Sequence, residues 1–248
     1  FSDVVVDHAT KLVRMHGWAP PAFSLPMNRM QGTIAAYLET GDPYLLEVAE
    51  AVTVNAYWVH KNSWPRQTVG RDACFIRSAV LLYRYFGEDF YRRVAYDGVL
   101  SVVESQRDNG SFGDQGGGSG IHQWGGYVTK PWMGLLALNG VLDYLELFPR
   151  EEVFRQSVKK FADWLMAERL ESNGVRTWCY QHDYNGGRKF YDVFTGCHIE
   201  LPTLGSTWHH ETLGRLLGYV TREFGDPSYL AAWQESHPTS DVCSNDHS

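Results

Sequence analysis

Glu39-Thr40-Gly41-Asp42-Pro43-Tyr44-Leu45 reads as the end of one helix and the start of the next. A glycine just past a helix takes the left-handed conformation that other residues resist. An aspartate then caps a new helix, and a proline suits its first turn. The same mark returns at Tyr85-Phe86-Gly87-Glu88-Asp89-Phe90-Tyr91 and at Glu223-Phe224-Gly225-Asp226-Pro227-Ser228-Tyr229-Leu230. A looser copy stands at Leu147-Phe148-Pro149-Arg150-Glu151-Glu152. Four marks predict four αα-hairpins.

The helices on either side of each mark differ in kind. Those before it are apolar nearly all round, as in Phe75-Ile76 to Tyr83 and Trp132-Met133 to Leu138, and such helices are buried on most faces. Those after it are amphipathic: Val153, Phe154, Val158, Phe161, Trp164 and Leu165 alternate with Arg155, Lys159, Lys160 and Asp163. An inner ring of buried helices inside an outer ring of amphipathic ones is an α/α toroid, or an arc of one; an open solenoid is the alternative stacking. The fold class expected is therefore all-α, an α/α-hairpin toroid of about four hairpins in a partial or small ring. The marks at Gly41, Gly87, Pro149 and Gly225 are 46, 62 and 76 residues apart. Six hairpins at that spacing would need roughly 370 residues. A further helix is expected over Val4 to Met15. The toroid domain is placed at 1–233, with a polar tail or linker at 234–248.

The connections are asymmetric. Turns from inner to outer helices are short, whereas outer-to-inner connections run roughly from Gly17 to Asn28, His60 to Arg71, Asn109 to Lys130 and Ser172 to Trp208. Connections this long are commonly functional, and all four lie at the end where the inner-helix N-termini converge. The last is expected to contain a small inserted β-hairpin, with Thr177–Tyr180 and Lys189–Phe194 flanking the turn Asn185-Gly186-Gly187-Arg188.

Among 248 residues, 9 Trp, 14 Tyr and 12 Phe exceed what a core asks for where they sit in glycine-rich loops. A net charge of −7 disfavours nucleic acid or an anionic membrane as a partner. Cys74, Cys179, Cys197 and Cys243 are too few and too scattered for a disulfide framework. Cys179, His182, Asp183, Cys197 and His198 match no standard zinc spacing, so neither a metal nor another cofactor is expected. The longest apolar stretch, Pro131 to Leu142, is too short to span a bilayer.

The chemistry-bearing residues gather on the long loops. Asp72 stands where an inner helix begins, either as its N-cap or as a carboxylate at the cavity mouth, with Arg71 and Arg66 as clamps and Trp64 as a stacking face. His122, Trp124, Tyr127, Lys130 and Trp132 follow a run of glycines and offer a proton-transfer group, aromatic faces and a cation. Trp208, His209, His210 and Glu211 open the last inner helix, where Thr207 suits a cap and Glu211 suits the helix dipole. Functionally, His209 or His210 offers a base, and Glu211 pairs with Asp72 as acid and base, the two-carboxylate arrangement of glycosidic hydrolysis.

The helix pairs ending in Tyr-Phe-Gly-Asp/Glu-type turns, above all Trp64 to Phe90 and Ile121 to Phe148, resemble the six-hairpin or (α/α)6-toroid carbohydrate enzymes. That resemblance implies an oligo- or polysaccharide substrate, uronic-acid-containing ones included, and glycoside hydrolysis by Asp72 and Glu211. A polysaccharide lyase is the first alternative, with Arg71 or Lys130 neutralising a uronate and Tyr127, His122 or His209 removing a proton. A non-catalytic carbohydrate- or protein-binding module is another. Ser105-Gln106-Arg107-Asp108-Asn109-Gly110-Ser111-Phe112-Gly113 resembles the Gln…Gly-Ser-Trp repeat of prenyltransferases and terpene cyclases, toroids as well.

Overall fold

In a computed structural model of the protein, the described residues are 29–63, 69–114, 128–172, 175–178, 181–183, 188–190 and 207–236. They contain helices α1 (Gln31–Thr40), α2 (Pro43–Ser63), α3 (Val69–Asp72), α4 (Cys74–Phe86), α5 (Asp89–Glu104), α6 (Pro131–Leu147), α7 (Glu152–Ala167), α8 (Thr207–Phe224) and α9 (Ser228–Glu235). The helix expected over Val4 to Met15 and the tail from 237 onward lie outside the described residues.

The turn chemistry works as its residues dictate. Gly41, Gly87 and Gly225 sit at φ 71°, 72° and 75°. Their N–H groups donate to Tyr37, Tyr83 and Thr221 carbonyls at 2.7, 2.8 and 2.9 Å, closing each helix. The Asp42 carboxylate then accepts from the Tyr44 N–H at 3.0 Å, and Asp226 from Ser228 at 2.9 Å. At the fourth mark Phe148 closes α6 without a left-handed residue, at φ −126°, its N–H donating to Tyr144. Four αα-hairpins result.

The inner helices α1, α4, α6 and α8 pack side by side in chain order. Each is backed by its hairpin partner α2, α5, α7 or α9, and each outer helix touches the next inner one. That is an α/α-hairpin toroid built as an arc. Its main core runs from Ala56 on α2 to Ala232 on α9, with α6 at its centre, buried at every position from Pro131 to Leu142. Large side chains such as Phe75, Phe161 and Leu138 are fully enclosed there, each stabilising by about 1.5–3 kcal/mol.

Two local expectations are corrected. Helix α2 continues to Ser63, so His60 and Lys61 occupy its last turn and not a loop. His60 anchors that turn: it is 2% exposed, its ring lies 4.9 Å from that of Phe75, and its Nε2 is 3.0 Å from Ser101 Oγ. Asp72 does not cap the inner helix. It ends the short helix α3, and Ala73, which makes no side-chain cap, precedes α4.

The expected β-hairpin is present, its first strand moved a few residues along. Strand β5 (Gln181–Asp183) pairs antiparallel with β6 (Arg188–Phe190), Gln181 opposite Phe190. Thr177 instead closes a separate hairpin, β3 (Leu170–Ser172) with β4 (Val175–Thr177). The β5–β6 pair is half of a larger sheet. With β1 (Gly113–Asp114) and β2 (Val128–Thr129) it forms a four-stranded sheet in the order β1-β2-β5-β6, Thr129 opposite His182. The third and fourth long connections are thus tied together at the inner-helix N-termini.

Candidate active site

Helix α3 carries Val69-Gly70-Arg71-Asp72 against the first turns of α6. Gly70 makes this approach feasible, since a Cβ there would lie 2.1 Å from the Met133 carbonyl oxygen. The contact brings Arg71 and Asp72 beside the residues that open α6. The Arg71 guanidinium lies 5.9 Å from the centroid of the Trp132 ring, and Trp132 is 8% exposed. Asp72 is 1% exposed and Lys130, the residue before α6, is 3% exposed. Two charged side chains withdrawn from water at one end of an inner helix are costly unless the surroundings hold them in place.

Cys74 lies just below, its Sγ 3.5 Å from the Gly70 carbonyl oxygen. Burial pushes its thiol pKa up, against the lowering influence of Arg29 and Arg77, so it is an inert packing residue and not a nucleophile.

Helix α8 also packs on α6. Glu211, in its second turn, is exposed, in contrast to Asp72. Trp208, His209 and His210 stand in the first turn of α8 by backbone position. Trp64, Arg66, His122, Trp124 and Tyr127 lie outside the described residues. Of the residues singled out from sequence, the structure brings Arg71 and Trp132 together, with Asp72 and Lys130 buried at the same end of α6 and Glu211 exposed near the start of α8. Among the described residues no group of three or more His, Cys, Asp or Glu could hold a metal ion, and no helix is long and apolar enough to cross a membrane.

The Gln106-to-Gly113 segment is a structural staple that carries the third connection. Gln106 Nε2 donates to the Gly110 and Ser157 carbonyls at 2.8 and 3.0 Å, and its Oε1 accepts from Ser157 Oγ at 2.8 Å. Gly110 is at φ 95°, and a Cβ there would lie 2.3 Å from the Lys160 carbonyl oxygen. Phe112 then stacks on Phe161 with centroids 5.2 Å apart. The likeness to the prenyltransferase repeat is accounted for by this tie between loop and outer helix. Trp178 does the same for the fourth connection: it is wholly buried, and its indole N–H donates to the Leu165 carbonyl at 2.6 Å.

Sequence reasoning missed an ionic ladder across the inner helices. Asp143 on α6 accepts from Arg77 Nε on α4 at 2.6 Å and from Arg215 Nη2 on α8 at 2.5 Å. Arg215 also meets Glu146 at 2.8 Å, and Glu146 meets Arg84 at 3.4 Å. Burial opposes the Arg215 charge, but Asp143 and Glu146 more than offset it and raise its pKa. The signal was present: Asn139, Asp143 and Glu146 recur at helical spacing on an otherwise apolar helix.

No family model matches the sequence, and no curated protein matches it. Solved structures do. An inactive variant of alpha-1,6-mannanase GH76A of Salegentibacter sp. HEL1_6, in complex with alpha-1,6-mannotriose, superposes with a TM-score of 0.64 at 14% identity, covering 94% of this chain and 68% of that one. The unsaturated glucuronyl hydrolase of Bacillus sp. GL1 gives 0.61 at 14%, covering 93% and 64%. An unsaturated glucuronyl hydrolase specific for heparin gives 0.58 at 14%, covering 93% and 63%. These neighbours are (α/α)6-toroid carbohydrate-active enzymes. The likeness shows the toroid fold, and the chain spans about two thirds of each neighbour's length.

Proposed function

We propose that this chain carries a glycoside hydrolase site on its long-loop face, with Asp72 as general acid and Glu211 as general base. One observation carries the reading: Asp72 is a fully enclosed carboxylate, held by the Gly70 contact beside Arg71 and Trp132 at the mouth of a toroid. Two carboxylates in unlike surroundings take unlike roles. The enclosed one is suited to carry a proton to a leaving oxygen, and the exposed Glu211 to activate water. Trp132 and Trp208 offer stacking faces, and Arg71, Arg66, Lys130 and His210 would hold hydroxyls or a uronate carboxylate. Trp64, Trp124, His122, Tyr127 and His209 belong to the same proposed face.

The structural neighbours include hydrolases of both neutral and uronic sugars, which supports hydrolysis over elimination for this chain. Incubation with alpha-1,6-mannooligosaccharides and with unsaturated glucuronyl disaccharides, read by product chromatography, tests the proposal. Asp72→Asn and Glu211→Gln should each lower turnover by about a hundredfold or more with an unchanged circular-dichroism spectrum. Full activity in both variants would discard the assignment.

A further inference from the structure

A cavity of about 250 Å3 opens on the opposite, short-turn face, lined by Arg92, Arg93, Tyr96, Tyr144 and Glu151. Tyr144 and Trp132 are twelve residues apart on α6, so the cavity is about 18 Å along the helix axis from the candidate active site. Its walls come from three elements: the first turns of α5, the last turn of α6, and the turn into α7.

Apart from Arg92, the polar groups around it are not used by the fold. Tyr144 is 2% exposed, its ring held by Phe148 at 4.6 Å and Phe154 at 5.8 Å, yet among the described residues its hydroxyl has no hydrogen-bond partner. Tyr144 lines the cavity, so this hydroxyl is available to a ligand there. Glu151 precedes α7 but its carboxylate does not cap it. Arg92 is paired with Asp89 at 3.1 Å, whereas Arg93 has no ion pair among the described residues. Burial, Glu151 and Tyr96 push the Tyr144 phenol up to about 12, so it is a neutral donor and acceptor at physiological pH.

We propose that this cavity binds a small hydroxycarboxylate of sugar-acid size, with its carboxylate on Arg93 and its hydroxyls on Tyr144 and Glu151. A guanidinium fork matches a carboxylate in two parallel hydrogen bonds. The phenol and the Glu151 carboxylate between them offer one donor and several acceptors, which suit a polyol. Tyr96, its ring 6.3 Å from that of Tyr144, provides an apolar wall for a ring face. The volume is below the roughly 300–1,000 Å3 of drug-sized sites, in keeping with a single small molecule. The site is independent of the hydrolase reading.

Isothermal titration of the full chain with sodium D-glucuronate, and with D-glucose as the same ring lacking the carboxylate, tests it. Glucuronate should bind with a Kd of about 1 mM or tighter and glucose at least about tenfold more weakly. Arg93→Ala and Tyr144→Phe should each weaken glucuronate binding by about tenfold, with Tm unchanged. Equal binding of both sugars, no binding of glucuronate, or binding indifferent to both variants would overturn the proposal. So would binding lost in Asp72→Asn but kept in Arg93→Ala, because the ligand would then sit on the other face.

Discussion

Gly70 shows how much of the candidate site depends on one missing methyl group. With 2.1 Å between a Cβ and the Met133 oxygen, Gly70→Ala must push α3 off α6. We expect a loss of about 1–3 kcal/mol in urea unfolding, the usual cost of forcing atoms into a packed contact, together with loss of turnover as Asp72 moves. His60 sets a second residue-scale expectation. Burial lowers its pKa from 6.5 to about 4, only partly countered by Asp97. The folded state therefore disfavours the proton that the unfolded chain accepts. Its stabilising contribution is complete above pH 6.5 and declines as pH falls towards 4, by up to about 3 kcal/mol. A His60→Gln variant should show a flatter stability curve across that window. If both proteins lose stability in parallel, another group is responsible.

At the scale of elements, the loops are held by staples that propensity alone does not reveal. Gln106→Ala leaves the Gly110 carbonyl and the Ser157 hydroxyl without their partner, which should cost about 1–3 kcal/mol. It should also speed proteolysis of the segment after Gly113 more than that of the helical body. Unaltered cleavage after Trp124 and Tyr127 in limited chymotrypsin digestion would argue against the staple. The αα-hairpins were legible in the sequence because their turn residues act locally: Gly41, Asp42 and Pro43 close one helix and open the next without help from the rest of the chain. Of the two roles the sequence offers Asp72, the cap fails because a helix of four residues leaves no periodic trace. The four-stranded sheet was illegible for a related reason. β1 and β2 are two residues each, too short to alternate, and β2 pairs with β5 more than fifty residues away.

At the scale of the molecule, α4, α6 and α8 are joined by charge as well as by apolar packing. Arg215 is the hub, contacting Asp143 and Glu146 together. Asp143 has 15% of its side chain exposed and Glu146 46%, so screening discounts the second contact more than the first. Arg215→Ala should lower stability by about 1–3 kcal/mol, chiefly by leaving Asp143 without one of its two cations. A double-mutant cycle with Asp143→Ala should return a coupling that falls only modestly between low and high salt; a coupling of zero would show that the ladder is ornamental. The arc was visible in the spacing of four turn marks. The contact of Arg71 with Trp132 was not, because it depends on α3 folding back onto an element some sixty residues later.

The strand order β1-β2-β5-β6 also bears on how such a face could be exchanged between proteins. The glycine-rich connection and the later hairpin are stitched into one sheet, so each supplies the edge that the other covers. Transplanted singly into another toroid, either would present an unpaired strand to its new surroundings and invite mispairing. Residues 105–130 and 168–190 therefore make up a single graft, and a chimera carrying both should stay soluble where chimeras carrying one aggregate.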